Sequence, residues 1–356
     1  MTTSRMFPQS GPAMKRGFGK SSLAVLGVLA ALALGTAGAH AQSGDVVKVS
    51  ERGAFSNAPV YVADKQGFFA EEGVKVQTIV LGGQSDTLTA ALVNGDIDVL
   101  PQNPVAFAAA ATKVDMKYFL GIQRDDIELV VKASDDKVPD AAKAGWEATV
   151  KALKGYRLGS ATRGSVTFAK LAIMLNDVGY AAGSDYQVVV SGIVNQSIAA
   201  MQADQVDAFI TDSFGARLAE QQGVGKSVLV WATDRPQQYP VGIQTALAAR
   251  AKSLTEQGDL YTRFSRALIK ADAWIKDPAN QQAFASLIQD QYKLDEKSAA
   301  ALAQRTRETG VFDSKLDPAL FDATMSILQK GGTKLPDGTP SYEEGLVKLQ
   351  LPGIYE

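Results

Sequence analysis

Residues 91–100 read ALVNGDIDVL, and residues 200–209 read AMQADQVDAF. Each runs from an Ala through a helix-like piece and over a polar turn. Each then enters an apolar residue, an Asp and two further apolar positions. At an offset of 109, Ala91 aligns with Ala200, Leu92 with Met201, Ile97 with Val206 and Asp98 with Asp207. The same offset aligns Ser56 with Ser165, Ala63 with Ala172, Val80 with Val189 and Gly83 with Gly192. No single match is specific. Their agreement in one register, on elements of one type, predicts a duplicated architecture.

The elements around each phrase alternate between strand and helix. In the first half, Val46 to Val49 is a strand, VYVADKQGFFAEEG (60–73) one helix ending in Gly73, and VKVQTIVL (74–81) a strand. TLTAALVNG is a helix, IDVL a strand and VAFAAAAT a helix, followed by the strands MKYFLGI and IELVVK. The second half repeats the alternation through YRLGSA, SVTFAKLAIMLNDVG, YQVVVSG, NQSIAAMQAD, VDAFI and FGARLAEQQG, closing on the strand SVLVWAT. Such alternation is the mark of parallel α/β layers. VGIQTALAAR is a strand that leaves the second unit. From 254 to 330 the pattern is helical, with Asp277-Pro278 and Asp317-Pro318 at helix starts. The expectation is an α/β, two-lobed clamp, each lobe a mainly parallel sheet flanked by helices, with the C-terminal helices packed on the first lobe. The chain crosses between lobes near 125–135 and returns near 230–245. Residues 42–130 form the first part of lobe 1, 131–232 form lobe 2, and 233–356 return to lobe 1 and supply the C-terminal helices.

Residues 1–41 read differently. Lys15, Arg16 and Lys20 precede the apolar run LAVLGVLAALAL (23–34), and a small-residue segment ends in Ala39-His40-Ala41. This is the pattern of a secretory signal cleaved after Ala41. The run falls short of the roughly 18–20 residues of a spanning helix; an uncleaved anchor is the alternative. No Cys follows the run, which excludes lipid attachment through cysteine. Removal of Arg5, Lys15, Arg16 and Lys20 with this segment leaves 32 basic against 38 acidic residues, a net charge of −6. That balance argues against nucleic acid as partner, since nucleic acid requires a basic face. The only His is His40, and there is no Cys. The mature chain therefore has no Ser–His–Asp or Cys–His nucleophile system and no His- or Cys-based zinc site. No cofactor is expected, and the mature protein is expected to be a monomer.

In open α/β sheets, ligands bind at the carboxyl ends of strands, where loops meet helix N-termini. Those loops are SNAP (56–59), GGQSD (82–86), PQNP (101–104), TRGS (162–165), SGIVNQ (191–196) and TDSF (211–214). Their hydroxyl and amide side chains and free backbone N–H groups suit a small polar ligand. TRGS is the most specific. Gly164 and Ser165 open a helix whose positive dipole end favours an anion, and Arg163 adds a charged fork for a carboxylate or sulfonate. Two readings of Ser165 and Arg163 stand: ligand contacts, or a helix cap and a solvated side chain. Asp98 and Asp207 lie in strands of opposite lobes and are read as polar anchors rather than a catalytic pair. Asp212, after a strand end, is better placed for the cleft. Trp146, Trp231 and Trp274 are read as core, while Arg124 and Tyr239, near the crossovers, are open between surface or core and cleft.

The stretches APVYVADKQGFFAEEGVKVQTIVLGG and LTAALVNGDIDVLPQN resemble the first lobe of the nitrate/sulfonate/taurine class of periplasmic solute-binding proteins of ABC transporters. LKGYRLGSATRGSVTFAKLAIMLNDVGY and IAAMQADQVDAFITDSFGARLAEQQG resemble the second lobe. The resemblance spans roughly residues 46–290. It implies capture of a small anionic solute between lobes and delivery to a membrane permease powered by an ATPase, in the periplasm. By position it implies a ligand shell of Ser56, Asn57, Gln84, Ser85, Gln102, Asn103, Arg163, Gly164, Ser165, Val166, Asn195 and Asp212. Where the family often has an acidic residue and Pro after the second-lobe VDA strand, this chain has Asp212-Ser213. Family members differ in ligand, so the solute itself does not carry over. A ligand-binding sensor module and a pyrimidine-precursor-binding relative are the alternatives. The enzymes that share this fold use a cofactor lysine and histidines, and a mature chain without His argues against that chemistry.

Overall fold

The structure is a computed structural model and describes residues 45–82, 85–162 and 165–356. Residues 1–41, where a secretory signal is expected, and the candidate residues Gln84, Arg163 and Gly164 lie outside the described residues. The described strands are β1 (Val46–Glu51), β2 (Lys75–Val80), β3 (Leu100–Gln102), β4 (Met116–Arg124), β5 (Glu128–Lys132), β6 (Arg157–Ser160), β7 (Gln187–Val190), β8 (Ala208–Thr211), β9 (Gly225–Val230) and β10 (Ile243–Arg250). Helices of eight or more residues are α1 (Ala58–Lys65), α2 (Ser85–Asn94), α3 (Pro104–Ala111), α4 (Val166–Asp177), α5 (Val194–Gln202), α6 (Ser213–Gln221), α7 (Gly258–Lys276), α8 (Gln281–Tyr292), α9 (Glu296–Thr309) and α10 (Pro318–Lys330).

Two sheets share one strand order. In the first lobe β1 pairs with β2 in parallel, the parallel bridge Val49↔Val99 brings in the start of β3, and β10 lies antiparallel between β3 and β4. In the second the order is β7-β6-β8-β5-β9, with β6 parallel to β7 and β8 and with β5 antiparallel to β8 and β9. Each sheet therefore reads second, first, third, visitor, fourth. The visitor is the strand that crosses from the other lobe: β5 leaving the first, β10 returning to it. Shifting β1–β4 by 109 residues lands on β6–β9. Both sheets are covered by helices, so their strands are apolar on both faces. Val47, Val49, Phe119 and Leu120 are buried in one lobe, and Leu129, Val131, Leu158 and Ala208 in the other.

The repeated Asp performs the same task twice. Asp98 Oδ2 accepts the Lys48 N–H at 2.9 Å, and its own N–H donates to the Lys48 carbonyl at 2.8 Å. Asp207 Oδ2 accepts the Arg157 N–H at 2.9 Å, and its N–H donates to the Arg157 carbonyl at 2.9 Å. Lys48 and Arg157 are themselves one repeat apart. Each Asp locks the entry of the third strand onto the first, and each sits just before its strand rather than inside it, which corrects the expected placement. Asp207 also takes a fork from Arg157, with Nη2 at 2.7 Å and Nε at 3.0 Å. The Arg157 hydrogen bond is the main reason its carboxyl is held down at about 2, against the opposing effect of burial.

Other local differences have plain causes. The helix expected over 60–73 breaks at Gly67, whose φ of 80° is left-handed and suits glycine. A second short helix, Phe68–Glu71, follows. The strand SVLVWAT stops at Val230, and Trp231 begins a helical turn with its indole fully buried. Among the C-terminal helices α7 and α8 pack on α1 as expected of the first lobe, while α9 also reaches α6 and α10 reaches α4 in the second.

The crossovers meet at one residue. Asp125 N–H donates to the Gly242 carbonyl at 3.0 Å, and the Gly242 N–H returns to Asp125 Oδ2 at 2.7 Å. Lys170 Nζ of α4 lies 2.7 Å from Asp125 Oδ1, with both side chains fully buried. Removing one partner of such a pair strands a charge in low dielectric. We expect Lys170→Met to cost about 3–5 kcal/mol in urea unfolding. The double variant Lys170→Met/Asp125→Asn should recover part of that loss, and a double variant no better than the single would refute the ion-pair account.

A second expectation concerns acid. Because the folded-state pKa of Asp207 is depressed, its contribution is complete above the unfolded value near 3.9 and is lost as pH falls toward about 2. Asp207→Asn should cost about 2 kcal/mol at neutral pH. The gap from wild type should close between roughly pH 5 and pH 2; a gap constant across that range would contradict the assignment.

Candidate ligand-binding cleft

Six helices begin directly after strands or their loops on the same edge of the two sheets: α1, α2 and α3 in the first lobe, and α4, α5 and α6 in the second. Their first N–H groups thus lie at the carboxyl ends of these strands, where ligands bind in open α/β sheets. The third helix of each lobe is capped identically. Asn103 Oδ1 accepts the Ala106 N–H at 2.9 Å, and Asp212 Oδ1 accepts the Gly215 N–H at 2.8 Å. Both pairs are separated by 109 residues, so the cap is duplicated while its charge is not.

The other candidate residues occupy varied positions. Ser56 and Asn57 are buried in the turn before α1, and Asn57 Nδ2 donates to the Ser50 carbonyl at 2.9 Å. That bond ties the turn to β1, so the amide nitrogen serves structure first. Ser85 is the first residue of α2 and is half-buried. Gln102 ends β3 and is buried, with no hydrogen-bond partner for its Oε1 among the described residues. Ser165 Oγ lies 2.7 Å from Thr167 Oγ1 and does not cap α4, Val166 is buried as the first residue of α4, and Asn195 is exposed at the second position of α5. Of the two residues left open, Tyr239 donates to Asp177 Oδ1 at 3.1 Å and stacks on Trp231, inside the second lobe. Arg124 is held by Asp313 through Nε at 2.6 Å.

Sequence reading missed several groups at the end of β1 and around Asp212. Arg52 follows β1 directly. Its side chain is exposed to solvent, yet desolvation lowers its pKa, with Glu51 beside it acting in opposition. Asp212 shows the same combination: half-buried by area, with its carboxyl pushed up by burial against the pull of the Gly215 N–H. Asp126 is buried beside it. Its carboxyl is raised well above the usual range by desolvation and then by the charge of Asp212, while Ser213 donates to it through N–H at 3.2 Å and Oγ at 2.7 Å. Tyr61 donates its hydroxyl to Glu51, whose other oxygen accepts the Gly53 N–H. Tyr292, raised by burial, feels the charges of both Glu51 and Asp212. Arg52 is thus an exposed cation at the end of β1, and Asp126 and Asp212 are neighbouring carboxyl groups at the start of α6. Arg52 was within reach of the sequence: it lies in the loop after β1, four residues before the point where that loop was taken to begin.

This is the architecture of the two-lobed periplasmic binding proteins. The chain matches the alkanesulfonate-binding protein SsuA from Xanthomonas axonopodis pv. citri, bound to MOPS, at TM-score 0.64 and 16% identity, over 85% of this chain and 98% of that one. It matches the nitrate-binding protein NrtA from Synechocystis PCC 6803 at TM-score 0.55 and 17% identity, over 71% and 68%. In sequence it is 24% identical to "Putative binding protein YtlA" of Bacillus subtilis (strain 168) over 292 residues, 80% of this chain and 82% of that protein. The model of the NMT1-like family matches residues 47–289, and the chain belongs to that family.

Proposed function

We propose that the protein is an extracytoplasmic receptor that captures a small organic anion, a sulfonate, taurine-like compound or aromatic carboxylate, between its lobes and delivers it to an ABC permease and its ATPase. It acts as a monomer in the periplasm after loss of residues 1–41, and it binds without transforming its ligand. The observation that carries this reading is the pair of lobes built on one strand order, each with three helices starting at the carboxyl ends of its strands, and with the exposed Arg52 following β1 in the first. A guanidinium binds a carboxylate or sulfonate through paired, charge-assisted hydrogen bonds. Support also comes from relatives: the SsuA and NrtA neighbours bind alkanesulfonate and nitrate by their names. The shell of Ser56, Asn57, Gln84, Ser85, Gln102, Asn103, Arg163, Gly164, Ser165, Val166, Asn195 and Asp212 is proposed with Arg52 added.

A ligand that touches both lobes favours the closed arrangement by its differential affinity for it. Thermal denaturation with a panel of sulfonates, carboxylates and inorganic anions should reveal stabilisation by at least one organic anion. Arg52→Ala and Arg163→Ala should each weaken that ligand by about tenfold to a hundredfold, the range for a hydrogen bond to a charged group. A panel with no stabilising member would refute the anion assignment.

A further inference from the structure

We infer that the protein has a second small-molecule site, apart from the cleft, in a cavity between α4, β7 and the end of α10. It takes an uncharged, mainly apolar molecule that carries a hydroxyl. The cavity holds about 340 Å³, within the roughly 300–1,000 Å³ of small-molecule sites. Ser165, Ala172 and Asn176 line it from one face of α4, Tyr186 and Val188 from the edge strand β7 and the residue before it, and Thr333 from the segment after α10. Of the described residues in the proposed anion shell, only Ser165 takes part.

The walls leave this space open by their composition. Six of the twelve lining residues are Ala or Gly, and Val188 stays 37% exposed. The walls are also held in place. Lys170 fixes α4 on Asp125, and Thr324 fixes α10 on the returning crossover, its Oγ1 accepting the Ile243 N–H at 2.7 Å. Where α4 meets the end of α10 the two already touch: a Cβ added to Gly331 would lie 2.4 Å from the Ala169 carbonyl oxygen. The helices therefore do not close the gap by approaching each other. Small walls alone make a void, and the polar groups make it a site. Thr333 is 7% exposed, and its Oγ1 has no hydrogen-bond partner among the described residues. A buried hydroxyl in that state costs stability until a donor or acceptor reaches it. Tyr186 is 4% exposed, and burial alone raises the pKa of its hydroxyl. Among the described residues no Asp, Glu, Lys or Arg lines the cavity, so an ion would enter without a counter-charge. The occupant is thus of a different class from the anion of the cleft. Its hydroxyl pairs with Thr333, and its apolar part covers the alanines and Val188.

Alanine methyl groups supply the readout, because Ala172, Ala181 and Ala182 all line the cavity. Hexanol added to the mature protein with isotope-labelled alanine methyls should shift these three resonances saturably, with a Kd of about 1 mM or tighter. Hexanoate, equal in length but charged, should leave them in place. Thr333→Val keeps the shape and removes the hydroxyl. It should weaken hexanol about three- to tenfold, the net range of one hydrogen bond. Ala182→Trp, at an exposed position on the rim, should abolish the shift of Ala172 without touching the core. No saturable shift in the wild type, or hexanoate moving the same methyls as strongly, overturns the site. A shift at Ala172 that persists in Ala182→Trp puts the alcohol elsewhere and overturns it equally. A hexanol affinity unchanged in Thr333→Val overturns the hydroxyl contact.

Discussion

The carboxylate of Asp125 is the point on which both lobes hang. Burying an ion costs several kcal/mol, and the cost is met only when partners surround it. Here the partners are Lys170 from the second lobe and the Gly242 N–H of the returning chain. The next acidic residues extend the same logic. Asp126 receives Ser213 at the start of α6. Glu128, fully buried in β5, receives Arg217 of α6 at 2.9 Å and faces Arg305 of α9 at 3.3 Å. Three acids within the four residues of DDIE thus secure three different joints: the returning crossover, the third helix of the second lobe, and the C-terminal helices. A motion of one lobe against the other has to pivot about these contacts, because breaking any one strands a charge.

Much of this architecture was legible in the sequence because it depends on local, repeated signals. The offset of 109 anticipated the duplicated set of elements, and it extends to residues that had carried no weight: Lys48 with Arg157, and the cap pair Asn103–Ala106 with Asp212–Gly215. The reading of Asp98 and Asp207 as anchors was right in kind, since strand pairing needs an acceptor there in each lobe. The joints were less legible. Lys170 stands in the apolar run VTFAKLAIML, and a charge inside such a run is a sign of a buried partner. The identity of that partner, 45 positions earlier, has no local trace. IELVVK read simply as a strand because its alternation masks the structural role of the acid at its head.

The candidate cleft divides in the same way. Loop positions after strands follow from the βα rhythm, so Gln102, Asn103 and Asp212 were found by counting. Their engagement was not: Asn103 and Asp212 each commit one oxygen to a cap, and Asn57 commits its amide to β1. The packing of Tyr61, Tyr292 and Phe214 on one another has no local trace, because its members stand at 61, 214 and 292.

The duplicated cap bears on selectivity. An N-cap needs an acceptor oxygen, and Asn serves about as well as Asp. Asn at 103 and Asp at 212 therefore solve the capping problem equally, and the charge at 212 is not required by the helix. It is costly there, since burial pushes its carboxyl up and Asp126 lies beside it. A carboxyl that the helix does not require, kept where burial disfavours its charge, is not explained by capping. Inverting a 99:1 preference between lobe arrangements takes about 5.5 kcal/mol of differential affinity. A ligand touching both lobes concentrates its binding energy in the closed arrangement, whereas one held by a single lobe binds both arrangements alike and shifts neither.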